Sequence, residues 1–323
     1  MTATSAIRVS VIIPCYNAAR FIHETLESAY AQAIPDMEVI VVNDGSTDNS
    51  AQIIRNHFSQ VILVETVNKG PGSARNLGTQ KARGEFIQYL DADDILEPGK
   101  IKQQIEALLL QDADIAYGPW QDLDEIPGKG FADGVITDRL LKGDSEAAII
   151  SHFWCALHVY LFRRRILASV IWNETLKVNE DVRFVFDCAL RGANFIYLPS
   201  LMAKQRKHRQ STSRRCQRYF FESCTENAIY AEAQWTKELR LNGERRRALA
   251  DVYFYLAEIS FLRDPTGFKQ CVDNIMRLCS RYTPCQSVLL EQILKYVGMR
   301  GMMTIFLLAK HMKHLLSIKA FKK

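Results

Sequence analysis

Phe86-Ile87-Gln88-Tyr89-Leu90-Asp91-Ala92-Asp93-Asp94 sets a continuous apolar run directly against a cluster of carboxylates. A short run that is apolar on both faces of the pleat predicts a strand buried in a parallel sheet, because such sheets are covered by helices on either side. The residues just past such a strand lie where open α/β sheets bind ligands. Mg2+ and Mn2+ favour oxygen donors, keep several waters and bridge one or two carboxylates to substrate phosphates. The acidic turn therefore points to a metal-diphosphate site and a nucleotide-linked substrate. Taken alone, an Asp-x-Asp turn is more simply read as the cap of a helix, here one beginning near Pro98; its surroundings shift that balance.

Upstream, short β-branched runs alternate with helical spacing, the pattern of successive βαβ units. Val9 to Pro14 is the first strand, followed by a helix carrying Phe21, Ile22, Leu26 and Ala29. Glu38 to Val42 is the second strand, with Thr47 or Asp48 placed to cap the next helix. Val61 to Val64 is the third strand, Ser73 to Ala82 a helix rich in small residues, and Glu85 to Leu90 the fourth strand. The predicted class is α/β, a mainly parallel, Rossmann-like central sheet flanked by helices. Downstream, residues 120–143 lose this rhythm, and Pro127-Gly128-Lys129-Gly130 predicts an irregular insertion serving as a lid or acceptor loop. An apolar segment at Ala156 to Phe162, a basic turn at Arg163-Arg164-Arg165, a helix at Asp181 to Leu190 and a strand at Asn194 to Leu198 follow. Beyond Arg214 the pattern is helical to the end, and no internal repeat or low-complexity tract is evident.

The 323 residues, 48% hydrophobic and 24% charged, are ordinary globular material with room for one large or two medium domains. The net charge of +5 is mild but uneven, acidic residues being concentrated in the first hundred positions and basic ones later. Eight cysteines form no Cys-x-x-Cys pair and the chain opens without an export signal, which predicts reduced thiols in a cytosolic protein. The most apolar uncharged stretch, Gly301 to Ala309, is far short of the roughly 18 residues needed to span a bilayer. A soluble or peripheral protein is expected.

Four motifs stand in order at predicted strand ends: Val11-Ile12-Ile13-Pro14-Cys15-Tyr16-Asn17, Val41-Val42-Asn43-Asp44-Gly45-Ser46-Thr47-Asp48, Asn68-Lys69-Gly70-Pro71-Gly72-Ser73-Ala74-Arg75-Asn76 and Leu90-Asp91-Ala92-Asp93-Asp94. Together they resemble a family 2 glycosyltransferase of GT-A fold, of the kind found among bacterial surface-polysaccharide transferases, over residues 8–118. Asn179-Glu180-Asp181-Val182-Arg183-Phe184 and Arg206-Lys207-His208-Arg209-Gln210-Ser211-Thr212-Ser213 extend the resemblance to about residue 213. It implies a catalytic domain over residues 1–213 and a helical extension over residues 214–323.

The resemblance implies that Asp44 bonds the nucleotide base, typically uracil, and that Pro14, Tyr16 and Asn17 pack against base and ribose. Arg75 would lie close to the nucleotide, and Asp91, Ala92 and Asp93 would hold the donor, with Asp91 and Asp93 on the Mn2+ or Mg2+ ion. His208 would complete the metal shell or meet the diphosphate, amid Lys204, Arg206, Lys207, Arg209, Arg214, Arg215 and Arg218. That basic run also reads as a solvated face. Asp181 resembles the base that takes the acceptor proton, with Glu180 in support; as residue types alone, both equally suit the start of a helix. Asp94 reads as a supporting residue or a helix cap. The implied reaction is an inverting, metal-dependent transfer of one sugar from a nucleotide-sugar, UDP-linked by preference, to a saccharide acceptor hydroxyl, in capsule, O-antigen or lipopolysaccharide assembly. No Trp follows an Arg in a Gln-x-x-Arg-Trp pattern, which argues against processive synthesis.

Ile305, Leu308, Met312, Leu315 and Leu316 share one helical face, and from Ile293 to Lys323 there are seven Lys or Arg and no acidic residue. Two readings stand side by side: a helix lying on an anionic membrane, placing the protein on the inner face of the cytoplasmic membrane with a lipid-linked acceptor, or a helix docked on its own catalytic domain with a basic outer face. Two further functions compete with transfer. A sugar-nucleotide pyrophosphorylase would favour a Gly-rich basic first loop over Pro14-Cys15-Tyr16-Asn17, and a non-catalytic scaffold is disfavoured by Asp91, Asp93 and Asp181. Nucleic acid is excluded as a partner, because an aspartate-lined cleft repels phosphate unless a cation intervenes.

Overall fold

The structure, a computed structural model, describes residues 8–209, 217–285 and 287–320, with residues 217, 218 and 314–320 described as backbone alone. Gln210 to Arg215, Lys322 and Lys323 lie outside the described residues, as do the side chains of Arg218, His314, Leu315, Leu316, Ser317 and Lys319. The chain divides into two compact units, residues 1–142 with 153–220, and residues 143–152 with 221–323.

The strands in chain order are Val9–Cys15 (β1), Met37–Asp44 (β2), Ile62–Thr66 (β3), Phe86–Tyr89 (β4), Ile95–Leu96 (β5), Ile115–Tyr117 (β6), Trp120–Ile126 (β7), Gly130–Thr137 (β8), Leu161–Arg163 (β9), Phe195–Tyr197 (β10) and Ala203–Lys207 (β11). The helices up to residue 190 are Ile22–Tyr30 (α1), Ser50–His57 (α2), Pro71–Lys81 (α3), Lys100–Leu110 (α4), Ser145–Ser151 (α5), Arg164–Leu167 (α6) and Glu180–Leu190 (α7).

The first unit is built on a seven-stranded sheet of order β10-β6-β9-β4-β1-β2-β3. β1 pairs in parallel with β2 and β4, β2 with β3, and β6 with β10. β1, β2 and β4 are buried along nearly their whole length, as the continuous apolar runs predict for a sheet covered on both faces. The sheet is mainly parallel; the exception is β9, which runs antiparallel between β4 and β6. Because β1, β2 and β4 point the same way, the loops that follow them share one edge. α3 lies close on the sheet: a Cβ at Gly78 would come within 2.4 Å of the Ile12 side chain, which is why a glycine stands there.

Three local expectations are corrected. Residues 120–137 are not irregular, because β7 and β8 form a hairpin whose turn is closed by the Lys129 N–H bonding to the Ile126 carbonyl at 3.0 Å, and only residues 138–143 lack regular structure. This hairpin joins β5 and β11 in a second sheet of order β5-β11-β7-β8. β8 buries none of its residues and is held by ladder bonds to β7, so no apolar alternation announced it. The Asp-rich turn does not cap the helix near Pro98; α4 starts at Lys100 behind Gly99, whose φ of 77° is a conformation that favours glycine. Neither Thr47 nor Asp48 is the N-cap of α2, a position held by Asn49, although Asp48 accepts the Ser50 N–H at 3.0 Å.

The second unit is helical, with Gln217–Lys237, Gly243–Ser260, Pro265–Leu278 and Val288–Ala320. Asn242 and Asp264 cap two of these helices by accepting the Arg245 N–H at 2.9 Å and the Gly267 N–H at 3.0 Å. α5 joins this unit through polar bonds as well as through its buried Ala147, Ala148, Ile149 and Ile150. Glu146 accepts the Trp235 indole N–H at 2.6 Å and pairs with Arg240 and Arg245, while Asp144 accepts from Arg245 Nε at 2.7 Å. The last helix is broken at Gly298. It packs through Met299, Met302, Met303 and Leu307, all buried, whereas Ile305, Leu308 and Met312 of the predicted stripe are 44%, 44% and 56% exposed. No helix among the described residues is long and apolar enough to cross a membrane.

Candidate functional site

The loops after β1 and β2 are tied to each other. Asn17, at a left-handed φ of 51°, accepts the Thr47 N–H at 2.8 Å, and Ser46 Oγ accepts the Asn17 N–H at 3.0 Å. Pro14 stands opposite Val42 in the ladder, and Tyr16 is half exposed beside it. Asp44 closes β2 as a buried carboxylate, one oxygen accepting the Lys69 N–H at 2.9 Å and the other the Gly70 N–H at 2.8 Å. It therefore fixes the turn that starts α3, and α3 in turn presents Arg75.

Arg75 is 4% exposed and joins two of the predicted motifs. Its Nη2 donates to Asp91 Oδ1 at 2.7 Å, its Nη1 donates to Glu180 Oε1 at 3.0 Å, and its guanidinium carbon lies 4.6 Å from the centre of the Trp172 ring. The two carboxylates hold the guanidinium pKa above its already high ordinary value, against the opposing effect of burial. The acidic turn after β4 and the helix start at Glu180-Asp181 are thereby brought together, though about ninety residues apart in sequence.

The acidic turn itself faces two ways. Asp91 and Asp93 keep about a third of their side-chain surface exposed, whereas Ala92 and Asp94 are buried. The Ala92 carbonyl accepts from Thr25 Oγ1 at 3.0 Å, which pins the turn to α1. Asp94 accepts the Arg206 N–H at 2.8 Å through one oxygen, and its other oxygen lies 2.8 Å from Nδ1 of the buried His158. Burial pushes the Asp94 carboxyl up to about 6, with His158 pulling the other way. Arg206 Nη1 donates to the Asp93 carbonyl at 2.6 Å, and its other arm pairs with Glu24. His208, buried just past β11, brings Nε2 to 2.9 Å from Asp93 Oδ2.

The basic stretch before His208 is not a solvated face: Arg206 is buried, Lys204 lies near Glu97 and Asp133, and Lys207 near Asp122. β11 is the strand that grips the acidic turn from its far side. Sequence reasoning missed His158. Its one signal was a histidine inside the apolar run Ala156 to Phe162, since a polar group in a buried run needs a partner.

Two donor sets suit a hard divalent cation. Asp91, Asp94 and His158 each offer a ligand atom within 4.8 Å of the others, and His158 Nε2 is buried without a hydrogen-bond partner among the described residues. Asp93 with His208 is the second set. Carboxylates and an imidazole are donors that Mn2+ and Mg2+ accept.

Asp181 stands in the first turn of α7, entered through Asn179 at φ 58°. It accepts the Val182 N–H at 2.8 Å and the Trp154 indole N–H at 3.2 Å. Burial, followed by the charge of Glu180, pushes its carboxyl from 3.8 up to about 6. A carboxylate poised there can remove a proton near neutral pH.

The chain is 40% identical over 286 residues to the "Uncharacterized glycosyltransferase RC0461" of Rickettsia conorii, covering 82% of this chain and 44% of that protein. It is 32% identical over 184 residues to the chondroitin synthase of Escherichia coli, covering 55% of this chain and 25% of that one. The chain thus spans about half the length, or less, of the curated relatives it matches. In fold it resembles the crystal structure of S. aureus TarS 1-349 in complex with UDP-GlcNAc, at 20% identity and a TM-score of 0.68, covering 92% of this chain and 90% of that one. The fold likeness is to a GT-A architecture, and residues 10–132, which include β1 to β4 and the acidic turn, match the family described as Glycosyl transferase family 2, so the chain carries a family 2 glycosyltransferase domain.

Proposed function

We propose that the chain is an inverting, metal-dependent, non-processive glycosyltransferase that moves a sugar from a nucleotide-sugar, UDP-linked by preference, to an acceptor hydroxyl. The observation that carries this reading is Arg75, which draws the acidic turn and the Glu180-Asp181 helix start into one site. Exposure favours Asp91 and Asp93 as the carboxylates that face a diphosphate, with Asp94 and His158 supporting them from within. A bound Mn2+ or Mg2+ would offset the charge that grows on the departing nucleoside diphosphate. Asp181 takes the acceptor proton, Arg75 keeps Glu180 and Asp91 in place, and His208 orients Asp93. Pro14, Tyr16, Asn17 and Asp44 frame the space for base and ribose. The similarity to a chondroitin synthase supports a role in polysaccharide assembly.

Calorimetric titration with UDP, with and without Mn2+ and beside GDP, CDP and dTDP, tests the donor site. Metal-dependent binding of UDP is expected, and Asp93→Ala is expected to weaken it about 10–100-fold. Equal binding with and without Mn2+ would sink the metal role.

The exposed Ile305, Leu308 and Met312, with Lys313 beside them and no acidic residue beyond Glu291, support peripheral contact with an anionic bilayer and a lipid-linked acceptor. Co-sedimentation with vesicles rich in phosphatidylserine is expected, and the variant carrying Ile305→Asp and Leu308→Asp should stay in the supernatant. Equal pelleting of parent and variant would rule this face out.

A further inference from the structure

The two oxygens of Asp181 are held by different elements. Val182, in the same helical turn, donates its backbone N–H to Oδ1, whereas Trp154, 27 residues earlier in the chain, donates its indole N–H to Oδ2. Trp154 sits between α5 and β9, and its ring stands edge-on to Trp120, with centroids 5.4 Å apart and planes at 88°. Trp120 is 2% exposed at the start of β7, so the indole rests against a buried ring. The other groups that act on the carboxylate are Glu180 beside it, which opposes its ionisation, and Arg75 on α3, which favours it. Burial first, and Cys155 next, hold the Tyr160 phenol well above its ordinary range, and the charge of Asp181 adds to them.

We propose that Trp154 is a positioning residue for Asp181, fixing the direction in which the carboxylate meets the acceptor hydroxyl; this rests on Asp181 being the base. An indole N–H can only donate. It therefore favours the ionised carboxylate and occupies a lone pair on one oxygen only, leaving the remainder for the incoming proton. The backbone N–H of Val182 does the same for Oδ1 but belongs to the helix that carries Asp181, so it cannot set that helix's carboxylate against the rest of the site. Trp154 does so because it is anchored to the second sheet through Trp120.

The test uses the full chain and needs no acceptor. With 15N-labelled tryptophan, the indole N–H signal that disappears in Trp154→Phe is expected to move with pH around a midpoint near 6 and to stop moving in Asp181→Asn. A signal that ignores pH, or still titrates in Asp181→Asn, overturns the proposal. Release of UDP from UDP-GlcNAc in the presence of Mn2+ supplies the second readout. Trp154→Phe keeps a ring against Trp120 and removes only the donor, so the acid limb of the rate profile should rise by about one pH unit. An unmoved limb, with Asp181→Asn inactive, overturns the positioning role and leaves the base intact. Full turnover in Asp181→Asn overturns the base, and the indole signal then reports separately on the bond.

Discussion

Replacing Asp181 by asparagine is expected to lower turnover by about 10²–10⁴-fold, the usual worth of a positioned general base, while UDP and Mn2+ bind as before. The asparagine retains the shape but has one oxygen where the aspartate has two, so it accepts only one of the Trp154 and Val182 donors while removing the proton acceptor itself. The parent should lose activity tenfold per unit as pH falls below about 6, because the carboxylate acts only when ionised. A second, opposite effect accompanies the first. A carboxyl whose pKa is raised on folding contributes stability below its unfolded pKa and loses it as pH rises through the folded one. The displacement from 3.8 to about 6 corresponds to about 3 kcal/mol at neutral pH. Asp181→Asn should therefore melt at a higher temperature than the parent at pH 7.5 and show no such gain at pH 3.5. An inactive variant with no stability gain at pH 7.5 would locate the strain elsewhere.

Arg75→Ala should be the most destabilising single change in the site. The guanidinium is buried, and its removal leaves Asp91 and Glu180 without the charge that both of them face. Breaking a buried pair from one side costs about 3–5 kcal/mol, readable as a lower urea midpoint. Because Arg75 also favours ionisation of Asp181, the pKa of the base should rise further in the variant, moving the acid limb of the rate profile upward. Arg75→Lys restores a charge but cannot fork between two carboxylates, so it should recover part of the stability and little of the turnover. Full recovery by lysine would mean that only charge, and not the two-pronged geometry, matters at this position.

What the sequence revealed and what it hid divide along physical lines. β1, β2 and β4 are legible to within a residue or two because burial on both faces writes a continuous apolar run, as in Val39-Ile40-Val41-Val42, whereas β3 buries none of its residues and is legible from its short β-branched run alone. β9 is hidden because three residues carry too little pattern, and its antiparallel course depends on neighbours far away in sequence. β8 is hidden because its stability comes from the ladder with β7 and not from burial. The polar residues at strand ends could be named as site candidates from residue type and order. The partners that hold them could not: His158 behind Asp94, Arg206 beneath Asp93 and Trp154 against Asp181 are long-range contacts fixed by packing. The last helix packs through Met302, Met303 and Leu307 and leaves Ile305, Leu308 and Met312 open, a division between faces that the apolar spacing did not reveal.

The ten residues 143–152 leave the first unit, fold with the helices of the second, and return. In genetic terms the second unit is discontinuous. Recombination that swaps everything after residue 220 between relatives would deliver helices lacking the matching Glu146 for Trp235, Arg240 and Arg245, and would strand the apolar face of α5 on a foreign partner. A shortened gene ending at residue 220 would leave that face uncovered. Inheritance of the two halves is thereby coupled, and drift in residues 144–150 should be matched by change in residues 235–245.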